Sequence, residues 1–179
     1  MLAQRISAED KRRTTGNEKE STIQSTNIAS FTVIGIEART TNAKEATAEG
    51  IIGKQWQKFL GEGVLDQIPD RMDRNVYAVY SDFASDHHGE YSLLIGAKVK
   101  DGTAPPTDMV AKRIGAGQYG VFTSDKGPFA KVVPWLWQKI FRLEDAGTLK
   151  RAYQTAFELY DQRAQDPQNG QVDIYVGVK

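Results

Sequence analysis

Three short segments of this chain occur twice, in the same order and at nearly the same separation. Trp56-Gln57-Lys58 returns as Trp137-Gln138-Lys139, and Gly96-Ala97-Lys98 returns as Gly177-Val178-Lys179, each 81 residues on. Between them, Val76-Tyr77-Ala78-Val79-Tyr80 is matched by Ala156-Phe157-Glu158-Leu159-Tyr160 at a distance of 80. Chance supplies one tripeptide match; three in order at nearly one offset indicate duplication. The chain is therefore expected to build two copies of one supersecondary unit packed against each other.

The local patterns say what that unit is. Phe31–Ile36 is rich in β-branched residues and reads as a strand. Glu45–Leu60 follows as a helix with Ile52, Trp56, Phe59 and Leu60 on one face. Two strands come next, Asn75–Phe83 and Tyr91–Lys98, joined by the turn-like Ala84-Ser85-Asp86-His87-His88-Gly89. Asp101-Gly102 and Pro105-Pro106 mark a linker. The second copy has strands at Met109–Ile114 and Tyr119–Phe122, a helix over Phe129–Phe141, and strands at Ala156–Asp161 and Asp173–Lys179. Pro134 implies a kink in that helix or a start there. Each half reads strand–helix–strand–strand, with halves at about 30–100 and 108–179. The expected fold is α+β: a pseudo-twofold duplication of a β-α-β-β unit, with an antiparallel curved sheet and two main helices on one face. A ligand groove between the halves is the natural site. Residues 1–28 are polar and lack aromatics, and read as a flexible or weakly docked extension before a domain at 29–179.

Composition removes several function classes. The 23 basic and 23 acidic residues balance, which argues against nucleic-acid or anionic-membrane binding by bulk charge. There is no cysteine, hence no disulfide, thiol nucleophile or cysteine metal site. No apolar run approaches membrane-spanning length, and the N-terminus shows no signal peptide, so a cytoplasmic protein is expected. His87 and His88 are the only histidines and read as a surface turn; no metal and no cofactor is expected. Gly115-Ala116-Gly117-Gln118-Tyr119-Gly120 matches a dinucleotide fingerprint in letters only. A strand rather than a helix follows it, so the glycines permit a bend in the sheet. Lys11-Arg12-Arg13 reads as part of a solvated tail.

Glu158 is the residue with the most distinctive chemistry. Strand alternation sets it on one face with Ala156 and Tyr160, opposite Phe157 and Leu159. It is either a solvated outer-face glutamate or a desolvated carboxylate on a groove floor. Tyr77, Tyr80, Trp135, Trp137, Tyr153 and Tyr160 supply candidate aromatic walls, with core packing as the alternative for each. Trp56 and Trp137 lie on apolar helical faces, which favours packing; Trp135 is out of phase with its stripe and reads as groove-lining.

Four segments together resemble the GyrI-like, or AraC-type, effector-binding domain family, also described as the bacterial transcription activator effector-binding domain. They are Phe31–Arg39, Ile114–Phe122, Ala156–Asp161 and Asp173–Lys179, and the likeness runs over residues 29–179. The resemblance implies a groove between the halves that binds lipophilic, often cationic, molecules, with an acid on a central strand among aromatics. Glu158 matches that acid, although Ala156 stands where the family has a second one. It also implies a standalone form like those in integron cassettes, with no direct nucleic-acid contact, and no catalytic residues. The expected ligand is a small amphipathic, cationic molecule, bound by Glu158, Tyr80, Tyr160, Trp135, Tyr77, Trp137 and Tyr153. Two alternatives stay open. One is a GyrI-like hydrolase in which Glu158 handles water and a tyrosine donates a proton. The other is an interaction module that inhibits a protein partner, or a homodimer.

Overall fold

A computed structural model describes residues 23–179. The extension expected over residues 1–28 lies, through residue 22, outside the described residues. Its last part is a strand, β1 (Gln24–Ile28). The order continues β2 (Phe31–Thr41), α1 (Asn42–Glu45), α2 (Ile52–Gly61), α3 (Val64–Gln67), β3 (Val76–Ser81), β4 (Glu90–Val99), β5 (Val110–Ile114), β6 (Gly117–Thr123), α4 (Phe129–Asp145), β7 (Arg151–Tyr160) and β8 (Asp173–Val178). The single helix expected from Glu45 to Leu60 is instead two, because Glu45 turns its carboxylate onto the second. It accepts from the backbone N–H of Ile51 at 2.9 Å and of Ile52 at 3.1 Å. Those are the free donors of the α2 N-terminus, which has no cap of its own. Pro134 sits inside α4, which begins five residues before it.

All eight strands join one antiparallel sheet, in the order β1-β6-β8-β7-β3-β4-β2-β5. The two end strands, β1 and β5, each pair on one side, with β6 and β2 respectively. β1 runs on β6, and β2 on β5, in one common register from Gln24 opposite Val121 to Gly35 opposite Val110. In effect β1-β2 and β5-β6 are two long bent strands lying against each other, and the sheet closes on itself. One face then forms an interior to which every strand contributes. Ile28, Phe31, Val33, Tyr77, Val79, Leu94, Ile114, Tyr119, Phe157 and Tyr175 pack there. Closure leaves only the outer sides of the short strands β1 and β5 without a partner in the sheet.

The halves are β2-α1-α2-α3-β3-β4 and β6-α4-β7-β8, related by a pseudo-twofold between the adjacent strands β3 and β7. Both main helices cover the outer face of the sheet over a second core that includes Ile34, Phe59, Leu93, Ile95, Leu136, Ile140, Ile174 and Val176. Gln55 pins α2 down, its side-chain amide donating to the carbonyls of Ile36 and Leu93 at 2.9 and 2.8 Å.

Gly35 and Gly96 face each other across β2 and β4. A Cβ on Gly96 would lie 1.9 Å from the Ile34 carbonyl oxygen, and one on Gly35 would lie 2.0 Å from that of Ile95. Those atoms are backbone held in the closed sheet and cannot yield. Gly96→Ala is therefore expected to cost at least about 1–3 kcal/mol of stability, the overpacking range. Gly53→Ala, in α2 with nothing within 4 Å of the new atom, is expected to gain about 0.5–1 kcal/mol. Urea unfolding of the two variants beside the parent checks both signs.

Candidate functional site

A cavity of about 920 Å³ lies between α2 and α4, above the outer face of the sheet. Its floor is β3, β4 and β7, which contribute Tyr80, Tyr91, Glu158 and Tyr160. α2 supplies Ile52, Trp56 and Leu60; α4 supplies Phe129, Val133, Trp137 and Phe141. The turn after β3 adds Phe83 and His87, and α1 adds Asn42 and Glu45. The volume suits a drug-sized molecule, and the wall is mainly apolar with a few polar groups, as ligand sites generally are.

Glu158 sits where the pseudo-twofold crosses the sheet. It pairs directly with Ala78, its own counterpart in the first half, and Tyr80 pairs with Ala156. The small alanines leave room for the large side chains opposite them. Glu158 is 2% exposed. Its Oε1 accepts from the Tyr80 hydroxyl at 2.7 Å and from the Trp137 indole N–H at 2.6 Å. Its Oε2 accepts from the Tyr160 hydroxyl at 2.6 Å. Tyr80 and Tyr160 are repeat equivalents that grip the two oxygens from opposite sides. Trp137 meets Tyr80 edge-on at 5.0 Å, and its equivalent Trp56 meets Tyr160 likewise at 5.0 Å. Burial raises the Glu158 carboxyl above its ordinary value, and the three donated hydrogen bonds pull partly back. Burial and the neighbouring Glu158 raise both tyrosines, which stay neutral donors. Among the described residues no Lys, Arg or His pairs with Glu158.

A second charged group stands at the start of β7. The ladder to β8 breaks between Arg151 and Ala156, and Tyr153 in that bulge adopts a left-handed φ of 51°. Arg151 is buried in the cavity wall, its guanidinium 4.4 Å from the Tyr153 ring centroid, 5.5 Å from Phe83 and 5.8 Å from Trp137. Its ion-pair contact is Glu144 Oε2, at 3.6 Å. Glu144 also meets His87 Nδ1 at 3.3 Å and accepts from the Tyr153 hydroxyl. His87 stacks on Phe141 at 4.8 Å.

Of the residues singled out from the sequence, Glu158, Tyr80, Tyr160 and Trp137 come together in the cavity wall. Trp135 does not: it is 49% exposed on the outer side of α4. The cavity lies beneath the helix, so residues in phase with the apolar stripe line it and the out-of-phase residue meets solvent. Tyr77 lies on the opposite face of β3, inside the closed sheet, its hydroxyl donating to Asp73 at 2.8 Å. Tyr153 stands behind Arg151, packed edge-on against Phe83 at 5.4 Å. Trp56, read as packing, is in the wall, as are Phe83, Tyr91, Phe129, Phe141, His87 and Arg151. The helix stripe signalled Trp56 and Phe129; nothing local signalled Arg151, which depends on the bulge. Among the described residues, no group of three His, Asp or Glu is placed to hold a metal ion. Nor is any helix long and apolar enough to cross a membrane.

Comparison with known proteins agrees with this architecture. The family model Cass2, integron-associated effector binding protein, matches residues 26–178. YobU of Bacillus subtilis (strain 168), whose name records an inferred role as a transcriptional regulator, is 30% identical over 146 residues, covering 81% of this chain and 90% of YobU. The transcriptional regulator BrlR of Pseudomonas aeruginosa is 31% identical over 153 residues, 83% of this chain but 52% of BrlR, so the likeness spans about half of that protein. Among solved structures, an integron cassette protein from the mobile metagenome of Vibrio cholerae superposes with a TM-score of 0.70 at 29% identity, covering 87% of this chain and 95% of that one. SAV2435, solved with tetraphenylphosphonium bound, shares the fold with a TM-score of 0.69 at 21% identity, covering 87% of this chain and 93% of its own. With the family model spanning nearly the whole described chain, this protein belongs to the integron-associated effector-binding proteins and carries a GyrI-like effector-binding domain.

Proposed function

We propose that this domain binds amphipathic cations in the cavity between α2 and α4, with Glu158 as the counter-charge. One observation carries the reading: a buried carboxylate in an aromatic wall, hydrogen-bonded by three neutral donors and paired with no cation among the described residues. Neutral donors lower the cost of burying that charge but do not cancel it. A lipophilic cation would cancel it, and the faces of Trp56, Trp137, Tyr80 and Tyr160 would add cation–π attraction. The tetraphenylphosphonium held by SAV2435, a protein of the same fold, is a molecule of this class.

Tryptophan fluorescence tests the reading, because Trp56 and Trp137 line the wall. Titration with tetraphenylphosphonium is expected to quench saturably and more tightly than with neutral triphenylphosphine oxide, and tetraphenylborate is expected not to compete. Glu158→Gln should weaken the cation by about tenfold or more and leave the neutral analogue near its parent affinity. A variant that binds the cation as well as the parent would remove Glu158 from the site.

The raised carboxyl also predicts a pH dependence. In the unfolded chain Glu158 releases its proton at the ordinary glutamate value; in the folded chain it does so at a higher pH. Between the two values the folded state holds the extra proton, so stability is lost as pH rises through that window, by about 1.4 kcal/mol per unit of displacement. Glu158→Gln has no such loss. Its stability relative to the parent is expected to rise as pH is raised above the ordinary glutamate value and to level off once the folded-state carboxyl has ionised, as read by urea unfolding at each pH. Cation affinity of the parent should fall as pH is lowered through the same window.

A further inference from the structure

Arg151 is a poor component for a site that takes only cations, yet it stands in the same wall as Glu158. Its side chain is 3% exposed. Among the described residues its guanidinium is within ion-pair distance of one group, Glu144 Oε2 at 3.6 Å, which is too long for a hydrogen bond. Three aromatic rings pack around it, and the polar group among them, the Tyr153 hydroxyl, already donates to Glu144. A guanidinium has five donors, more than this one ion pair satisfies, and a donor left unmet at a buried group is expensive. The facing oxygen is also unsatisfied: Glu144 Oε2 is buried and has no hydrogen-bond partner. That oxygen is shared between Arg151 and His87 Nδ1, 3.3 Å away, which leaves the guanidinium donors available to something else.

The two charges share one side chain. The Trp137 indole donates its N–H to Glu158 and turns a ring face to Arg151. No ion pair joins Arg151 to Glu158 among the described residues. A ligand lying along Trp137 meets a carboxylate at the indole edge and a guanidinium over its face. We propose that Arg151 is an anion subsite of this cavity, so that the effector is amphoteric: an aromatic or otherwise apolar body carrying both a positive centre for Glu158 and a carboxylate or similar planar acid for Arg151. A ligand with only the cation leaves the guanidinium donors unmet, and one with only the acid leaves Glu158 without a counter-charge. The planar fork of arginine matches a carboxylate in two parallel hydrogen bonds, which a lysine would not. The β7 bulge is the device that places Arg151 here, consistent with the use of bulges to re-aim side chains beside sites.

This inference rests on the cation reading above, and one matched dye pair separates the two. Rhodamine B is a zwitterion with a free carboxylate; its ethyl ester is a plain cation of nearly the same shape. Equilibrium dialysis of both against the protein gives an acid-to-ester affinity ratio. In the parent the acid is expected to bind at least as tightly as the ester. Arg151→Met should lower the ratio by about tenfold or more. Glu144→Gln, which frees the guanidinium from its competing carboxylate, should raise it about threefold; a gain of affinity is not a result that misfolding produces. Ratios unchanged by both variants, or an acid that binds well below the ester in the parent, overturn the anion subsite while the cation reading stands, provided the ester still depends on Glu158. An ester indifferent to Glu158→Gln, or no binding of either dye, overturns both.

Discussion

A single carboxylate buried on the pseudo-twofold axis organises the functional face of this molecule. Taking Glu158 out of water costs several kcal/mol unless its oxygens are met. Both are met, from β3, β7 and α4 at once. Tyr80 and Tyr160 hold corresponding places in the two halves, and they reach the carboxylate from either side because the axis passes between Ala78 and Glu158. Duplication alone would have put the same residue at both places. Two glutamates there would repel, with one forced to keep its proton. Alanine at the first place leaves one charge and the space it occupies.

Such an arrangement requires a floor that does not move. The sheet provides one by closing through the β1-β6 and β2-β5 ladders, which packs Phe31, Tyr77, Tyr119 and Phe157 behind the strand that carries Glu158. The close approach at Gly35 and Gly96 belongs to the same closure. The aromatic side chains are thus divided by strand parity. Those inside the closed sheet stiffen it, and those outside form the cavity. α2 and α4 stand over the opening without filling it, which leaves apolar wall where a core would otherwise have formed.

The extent to which this was legible in sequence follows from the same geometry. The duplication, the α+β class, the antiparallel sheet and the face occupied by Glu158 could be read, because repeats and alternation survive any packing. Parity also distinguishes Tyr77 from Tyr80, three residues apart on one strand, and applying it to that pair would have set Tyr77 inside the sheet. Trp135 illustrates a different limit. An out-of-phase aromatic on an amphipathic helix suggests a groove beside the helix, whereas this cavity lies beneath it, where helix phase cannot tell a wall from a core. Gln24–Ile28 has no apolar pattern, since it is a strand by virtue of the partner it pairs with. Arg151 escaped, and Tyr153 was read as wall where it backs Arg151, because the β7 bulge resets alternation within that strand, and nothing in the residues marks the reset.

A chamber built by duplication carries a problem of orientation. With matched walls, Trp56 and Tyr160 on one side and Trp137 and Tyr80 on the other, a ligand held only by a charge on the axis could lie either way round at equal cost. Bound populations would then divide between two poses. Specific recognition needs an element that one half has and the other lacks. The start of β7 holds such an element: Arg151 reaches the cavity wall, whereas its repeat counterpart Arg71 pairs with Asp66 and does not line the cavity, so a guanidinium stands on one side of the axis only. On the assignment proposed for Arg151, Glu158 gives the ligand its depth and charge preference, and Arg151 gives it a direction. The same asymmetry separates affinity from specificity in this fold. The symmetric aromatics supply contact area to any apolar cation, while discrimination among such cations rests on whether they can also satisfy the guanidinium that reaches the wall from one half only.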